Sequence, residues 1–362
     1  MTGKNQKILT VVIVIVLAIS AVLVTLALKN KRALETPATN NTIGMGTVVV
    51  ESFYNVDSEA SKAAISESTK IINDLDNNRL SWRKEGSDIW NLNKEHSTYV
   101  DFTTFNCIST CFDISSKCDG AFDITVGELS GLWNIGTKEA RVPSDEEIDA
   151  ALPTINFKRI SLLPDSKGSY LVEIGEDQKI DLGAVGKGLA CDKIRDYLET
   201  TDIYGGTVSV GGSILVYGKN PTAKDSSWNI AVRDPFGSES DYMAVINCKP
   251  CCISTSGDYE KTLIENGKVY HHILDPKTGY PAKSNVTGVT IVCDSGVVSD
   301  ALSTACFILG YSDKSLELLK EYNAEAIFIT KTKEVYITDG LKDSVTIVNE
   351  DFHSVTPTEV AE

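Results

Sequence analysis

The 362-residue chain is poor in proline, histidine, positive charge and long apolar runs. Its ten prolines and 26 glycines are no low-complexity excess, and 42% hydrophobic against 23% charged residues is an ordinary globular composition. A disordered or collagen-like chain is therefore excluded. Mean hydropathy is −0.06 and only one long apolar run exists, which also excludes a multi-span membrane protein.

Scarce positive charge excludes a further class of function. The chain has 34 basic and 50 acidic residues, a net charge of −16. Residues 1–32 hold five basic residues and no acidic one, so the remainder carries about −21. Such a surface repels polyphosphate backbones, and we expect no nucleic-acid partner. A smaller phosphorylated ligand would need a metal, a lysine or a helix N-terminus to hold it.

The single apolar run covers residues 9–28, which are 20 residues without a charge. A helix of that length spans about 30 Å, the thickness of one bilayer core. The run exceeds a typical signal-peptide core, and no clear cleavage site follows it. A cleaved signal peptide is the alternative to an uncleaved anchor. We predict an N-terminal transmembrane helix within 1–32, a polar tether over 33–44, one domain over 45–349 and a C-terminal tail over 350–362.

Helical and strand periodicities in the main domain favour an α+β fold of adjacent strands punctuated by helices. Helices are predicted over 57–77, 186–198 and 298–309. Strands are predicted over 157–163 and 179–182, among others. A capping box at Ser144 and Glu147 predicts the start of a short helix.

Residues 181–188, DLGAVGKG, pass from a predicted strand into a predicted helix. Its glycines allow a ligand to approach the backbone, the helix N-terminus offers free N–H groups, and Lys187 adds a positive charge. These features suit a phosphate, although a purely structural turn would have the same sequence.

Asp300 and Thr304 are separated by one turn of a predicted helix, so their oxygens share a face. A carboxylate with a hydroxyl is hard-oxygen ligation and suits Mg²⁺. The alternative is an N-terminal cap with a threonine packed below it.

His271 and His272 are adjacent on a predicted strand, which places them on opposite faces. One of them could act as a general base near neutral pH. The alternative is one solvated and one packed histidine.

The nine cysteines cannot all pair within one chain. Cys248, Cys251 and Cys252 are closely spaced, but no histidine lies beside them at zinc-finger spacing. We expect most cysteines to be buried thiols.

Taken in order, several segments resemble the ApbE family, the FAD:protein FMN transferases, over roughly residues 44–340. The segments are MGT at 45–47, GAFDIT at 120–125, LW at 132–133, DLGAVGKG at 181–188 with Asp192, GG at 211–212, TSGDY at 255–259, HILDP at 272–276 with TG at 278–279, and DALST at 300–304. Each motif alone is weak evidence for the family, whereas the whole set in this order is specific to it. The chain lacks the lipoprotein cysteine of some members, which agrees with a transmembrane anchor.

The resemblance implies a mixed, largely antiparallel sheet with packed helices. It implies Mg²⁺-dependent transfer of FMN from FAD to a threonine hydroxyl of a target flavoprotein, with release of AMP. The residues expected to contact FAD are Met45, Ala121, Phe122, Asp123, Asp181, Lys187 and Ile273, with Trp82 as an aromatic stacking partner. The Ala184 carbonyl, Asp300 and Thr304 are expected to hold the metal, and His272 is the expected base.

Two other readings remain open on the sequence. One is a pyrophosphatase that cleaves FAD to FMN and AMP with water as the nucleophile. The other is a non-catalytic flavin-binding surface protein.

Basic residues flank the apolar run on both sides, so their distribution does not indicate the orientation of the anchor in the membrane. The expected function places the catalytic domain on the extracytoplasmic side of the cell membrane.

Overall fold

The computed structural model describes residues 3–165 and 168–355, and their side chains from residue 19 onward. Nine α-helices lie in this part of the chain: α1 (Gly3–Leu34), α2 (Ser58–Asp74), α3 (Asp88–Glu95), α4 (Phe102–Lys117), α5 (Gly127–Trp133), α6 (Asp145–Ala151), α7 (Gly186–Leu198), α8 (Gly296–Leu309) and α9 (Asp313–Glu321).

Seventeen strands form one large and three small sheets in the same residues. They are β1 (Ala38–Gly44), β2 (Thr47–Tyr54), β3 (Ser97–Val100), β4 (Ser161–Pro164), β5 (Tyr170–Glu173), β6 (Gly205–Val210), β7 (Ser213–Gly218), β8 (Trp228–Arg233), β9 (Tyr242–Cys248), β10 (Cys251–Gly257), β11 (Thr262–Glu265), β12 (Lys268–His271), β13 (Val286–Cys293), β14 (Glu325–Thr330), β15 (Glu334–Ile337), β16 (Val345–Ile347) and β17 (His353–Val355).

The large sheet has nine strands in the order β1-β2-β6-β7-β10-β13-β14-β15-β17. Neighbouring strands are antiparallel except for the parallel pair β15 and β17. Strand β13 is buried on both faces, and α8 packs against one of them. The predicted α+β class with a largely antiparallel sheet is confirmed.

Side-chain hydrogen bonds cap the starts of two helices, one of which was predicted. Asp57 caps α2 by accepting a hydrogen bond from the backbone N–H of Glu59. Ser144 and Glu147 form the predicted capping box at the start of α6, with both reciprocal hydrogen bonds present. These local interactions define where two helices begin, independently of the rest of the fold.

The structure describes only part of the predicted N-terminal anchor. The side chains of residues 1–18, which include the first half of the predicted anchor, lie outside the described residues. Where the structure does describe the chain, no helix meets the length and apolarity needed to cross a bilayer.

Two predicted boundaries are wrong. The tether predicted over 33–44 contains β1, which pairs along its whole length with β2. Its polar residues can form a strand because β1 is the edge of the sheet, with one face exposed. The tail predicted over 350–362 contains β17, which pairs with β15. Residues 356–362 of that tail lie outside the described residues.

Two predicted strands also differ in the structure. The segment 157–163 opens with a 3₁₀ turn, Phe157–Arg159, because Asn156 accepts a hydrogen bond from the backbone of Lys158. Residues 179–182 make only one bridge, between Lys179 and Val126. The alternating pattern there arises because Ile180 and Leu182 are buried in the core beneath a loop, without a ladder of strand hydrogen bonds.

Helices α7 and α8 approach each other so closely that only glycine fits at the contact. A Cβ atom on Gly188 would lie 2.0 Å from the carbonyl oxygen of Gly296, and one on Gly296 would lie 2.1 Å from that of Gly188. The first turns of both helices therefore meet at one point. This contact brings together the start of α7, which contains Lys187, and the start of α8, the helix that contains Asp300.

Each helix caps the other at this contact. The carboxylate of Asp192 in α7 accepts hydrogen bonds from the backbone N–H groups of Gly296 and Val297, at 2.7 and 3.0 Å. The carboxylate of Asp300 in α8 accepts from the N–H of Gly188 at 2.6 Å. Because negative charge at a helix N-terminus is favourable, this exchange stabilises the crossing from both sides.

We predict that Gly188→Ala lowers the free energy of unfolding by about 1–3 kcal/mol, the usual cost of overpacking. The new methyl group would collide with the backbone of α8. Chemical denaturation measures the change. Gly131→Ala is the matched control, since a Cβ there has no neighbour within 4 Å and alanine favours the helix. Equal stability of the two variants would contradict the close crossing.

Candidate active site

A cleft of about 500 Å³ opens beside the crossing of α7 and α8. Its walls come from the β1–β2 turn, the loop that follows α2, the segment before α5, the start of α7, the end of β10 and one face of α8. All twelve residues predicted for the site line this cleft: Met45, Trp82, Ala121, Phe122, Asp123, Asp181, Ala184, Lys187, His272, Ile273, Asp300 and Thr304. The fold thus gathers segments that are far apart in the sequence.

The start of α7 is partly committed to internal hydrogen bonds. The N–H of Gly186 donates to the carbonyl of Leu182 at 2.9 Å, and the N–H of Gly188 donates to Asp300. Asp181 accepts from the N–H of Gly183 at 2.8 Å and holds the turn that precedes the helix. The predicted cradle of free N–H groups is therefore smaller than the sequence indicates, and the Lys187 side chain carries more of the attraction for an anion.

Asp300 has the environment of a cation ligand. Its side chain is 3% exposed, and its oxygens accept from the N–H of Gly188 and the hydroxyl of Ser213, both at 2.6 Å. None of the ion pairs in the described part of the chain involves Asp300. A buried carboxylate without a cationic partner is costly, and this one lines the cleft. The residues present therefore fit a divalent cation.

The remaining proposed ligands are neutral oxygens. Thr304 lies one turn after Asp300, and its hydroxyl is 3.5 Å from that of Ser256 on β10. The carbonyl-bearing Ala184 lines the same cleft. No group of three histidine, cysteine or acidic side chains that could hold a metal occurs among the described residues. A cation here would need the phosphate oxygens of a ligand and water to complete its coordination, which is typical of Mg²⁺.

The two adjacent histidines have different environments. His271 ends β12, where its Nε2 atom is 3.1 Å from the carbonyl of Ala282 and its Nδ1 atom accepts from the N–H of Ile273 at 3.3 Å. Its ring packs edge-on against Phe307, with centroids 5.5 Å apart. This arrangement fixes a neutral ring with the proton on Nε2. His271 is the packed histidine of the pair.

His272 follows the end of β12 and lines the cleft. The surrounding protein, together with the positive charges of Lys261 and Lys187, lowers the pKa of His272 to about 3. The ring is therefore neutral at physiological pH and can accept a proton. Anionic phosphates in the cleft would offset the two lysines and raise its pKa toward the ordinary value.

Asp123, which was predicted to contact FAD, accepts hydrogen bonds from within the protein. One carboxylate oxygen accepts from the backbone N–H and the hydroxyl of Thr125, at 2.8 and 2.7 Å, and the other accepts from the N–H of Phe157 at 2.9 Å. Burial nevertheless raises the pKa of Asp123. Its hydrogen bonds shape the wall of the cleft that also contains Ala121 and Phe122.

Sequence reasoning missed two cations of the cleft. The guanidinium of Arg83 stacks on the ring of Trp82 at 3.7 Å from the ring centroid and donates to Asn134 at 2.9 Å. Lys261, which follows β10, lines the same cleft, and the surrounding protein together with Lys187 lowers its pKa. No motif marks either residue, although an arginine next to a tryptophan suits stacking.

The α+β fold and a cleft that combines cations, a buried carboxylate and hydroxyl groups suit a protein that binds a phosphorylated ligand. The chain belongs to the ApbE family, whose model matches residues 45–328.

Relatives and solved structures agree with this assignment. The chain is 33% identical over 286 residues to the FAD:protein FMN transferase of Treponema pallidum, covering 75% of this chain and 79% of the relative. It is 31% identical over 299 residues to the Escherichia coli K12 protein of the same name, covering 81% and 84%. The crystal structure of the ApbE protein from Thermotoga maritima is similar with a TM-score of 0.75 at 30% identity, over 85% of this chain and 99% of that one.

We predict that Lys261→Gln raises the pKa of His272, because it removes a positive charge that disfavours protonation. The measurement is an NMR titration of the His272 ring in the unliganded protein. Lys268→Gln is the control, since Lys268 is exposed on the neighbouring strand β12 and contacts Tyr270 instead. An unchanged titration in Lys261→Gln would contradict the electrostatic coupling.

Proposed function

We propose that this chain transfers FMN from FAD to a threonine hydroxyl of a target flavoprotein in an Mg²⁺-dependent reaction that releases AMP. The observation that carries the proposal is the convergence of all twelve predicted residues on one cleft. The names of the relatives, FAD:protein FMN transferase, support the same reaction.

The cleft provides an anion site in an acidic protein. Lys187 stands at the N-terminal end of α7, where the helix dipole adds positive potential. Arg83 and Lys261 line the same cleft. These cations would hold the pyrophosphate of FAD against the net charge of −16. Met45, Trp82 and Ile273 supply apolar surface for the ring systems.

Asp300, Thr304 and the carbonyl of Ala184 are the residues that would hold Mg²⁺. When bound, the cation supplies charge neutralisation at the phosphate that is attacked and at the AMP leaving group. The chain's own contribution is to fix Asp300. Its hydrogen bonds from Gly188 and Ser213 hold the carboxylate in one orientation at the cleft wall.

His272 is the proposed base. A threonine hydroxyl is a weak nucleophile until its proton is removed, and His272 is a neutral acceptor in the cleft. The threonine oxygen forms a bond to the phosphorus of the FMN half, and the bond to the AMP oxygen breaks. The proton passes to His272, and AMP leaves with the bonding electron pair.

We predict that Thr304→Val raises the Mg²⁺ concentration needed for half-maximal transfer by about 10–100-fold, as when a supporting group of a metal site is removed. Thr304 is the sharper probe because Asp300→Ala would also leave the donors of Gly188 and Ser213 unpaired. Ser299→Ala is the control, since it removes a hydroxyl of the same helix that bonds to Ser254. An unchanged Mg²⁺ dependence in Thr304→Val would exclude Thr304 as a ligand.

We predict that His272→Ala slows transfer by roughly 10²–10⁴-fold, the usual range for a lost general base. FAD affinity should change much less, because the base acts on the acceptor hydroxyl. The transfer rate and FAD binding are measured separately. His271→Ala is the comparison, because its ring is bonded within the protein and packs on Phe307. A greater loss of transfer rate in His271→Ala than in His272→Ala would contradict the assignment of His272 as the base.

The N-terminal helix is proposed to anchor the chain in the cell membrane as a single span, with the catalytic domain extracytoplasmic. Its support is the uncharged run 9–28 and the exposure of apolar side chains in the described part of α1, including Ile19, Leu23 and Leu28. Such a stripe is stable in lipid and costly in water.

We predict that residues 9–28 remain in the mature protein and hold it in the membrane fraction, because the run is long enough to span the bilayer. N-terminal sequencing shows whether residues 9–28 are retained. Protease treatment of intact cells with a permeable outer envelope shows which side of the membrane the domain faces. A variant that begins at residue 33 is the control and should be released. A mature N-terminus near residue 33, or a domain resistant to external protease, would contradict the prediction.

A further inference from the structure

The corner between β9 and β10 contains the sequence Cys248-Lys249-Pro250-Cys251. Cys248 ends β9, a strand of the three-stranded sheet, and Cys251 begins β10, a central strand of the nine-stranded sheet. The two cysteines thus stand at the point where the chain passes from one sheet to the other. Pro250 restricts the turn between them.

These two thiols differ from the other seven. All nine cysteines lie in the described residues and are free, and seven of them are buried. Cys248 and Cys251 are only half-buried, and they pack against a hydrophobic cluster that contains Val216 and Trp228. Cys248 pairs across the strands with Trp228, and Cys251 pairs with Val216. A soluble reagent can therefore reach this pair, whereas the others are shielded.

Only Lys249 and Pro250 separate the two cysteines at this corner, so their thiols lie in one turn. Their mutual interaction lowers the pKa of Cys248 and raises that of Cys251. A thiol with a depressed pKa, with a second thiol three residues further along the chain, is the arrangement of an attacking and a resolving cysteine. Cys248 has the position of the attacking group.

We propose that Cys248 and Cys251 form a thiol–disulfide exchange site whose oxidant is a small or protein disulfide. The sulfur of Cys248 attacks the oxidant's disulfide, forms a mixed disulfide and releases one thiolate. The sulfur of Cys251 then attacks Cys248 and releases the second thiolate. The two cysteines lose two electrons and two protons, and the oxidant is reduced to two thiols.

The resulting disulfide would tie the three-stranded sheet to the nine-stranded sheet. Strand β10 continues from Cys251 to Thr255 and Ser256, which line the cleft. At about 3.3 Å per residue, the pair lies roughly 16 Å along the strand from Ser256. Oxidation should therefore stabilise the sheet junction without occupying the cleft. The inference does not depend on the proposed transfer reaction.

The test is a redox titration of the purified full chain in glutathione buffers of increasing oxidised fraction, followed by thiol alkylation and peptide mass spectrometry. We expect the peptide with Cys248, Cys251 and Cys252 to lose two hydrogens and to keep one alkylatable thiol, which fragmentation locates at Cys252. Cys107 and Cys111, one turn apart and buried in α4, are the internal control and should stay reduced. Thiols that persist at Cys248 and Cys251 in fully oxidised buffer would overturn the site.

Two variants test the assignment of roles. Cys251→Ser should accumulate a stable mixed disulfide of glutathione on Cys248, because no resolving thiol remains. Cys248→Ser should form much less of it on Cys251. The reverse order would overturn Cys248 as the attacking group. The oxidised wild-type chain should melt a few degrees above the reduced chain, as expected for closing a short loop. An unchanged or lower melting temperature would overturn the stabilising role.

Discussion

The glycine contact between α7 and α8 is the constraint on which the candidate site depends. Because Gly188 and Gly296 have no side chains, the first turns of two helices can touch. That proximity lets Asp300 reach the N–H of Gly188 and lets Asp192 reach the start of α8. The same contacts that stabilise the crossing therefore place a carboxylate, a lysine and a helix N-terminus around one cleft. Stability and site geometry have a common origin here.

Charge distribution is the second constraint. The chain carries a net charge of −16, yet Arg83, Lys187 and Lys261 converge on the cleft. They create a local positive region, and the surrounding protein together with Lys261 and Lys187 lowers the pKa of His272. A phosphorylated ligand would offset this charge and return basicity to the histidine. The cleft thus couples ligand binding to the readiness of the base, with buried Asp300 as the complementary site for a cation.

Local patterns predicted the parts of the fold that local interactions determine. The capping box at Ser144 and the helix that carries Asp300 followed from spacing alone. The polar strand β1 did not, because it is stabilised by pairing with β2. The run 179–182 alternates like a strand because Ile180 and Leu182 reach the core from a loop. Lys187, Asp300, Thr304 and the pair His271–His272 were candidates from their local sequence, whereas the other site residues came from family resemblance. Arg83 and Lys261 were missed because only tertiary folding brings them to the cleft.

The measurement that tests the account most directly is the intact mass of an acceptor flavoprotein after incubation with this chain, FAD and Mg²⁺. The account predicts that the acceptor gains one FMN in phosphoester linkage at a threonine and that one AMP is released for each FMN attached. An acceptor with that threonine changed to valine should gain nothing. Cleavage of FAD to free FMN and AMP, with the acceptor unmodified, would contradict the account and identify a pyrophosphatase.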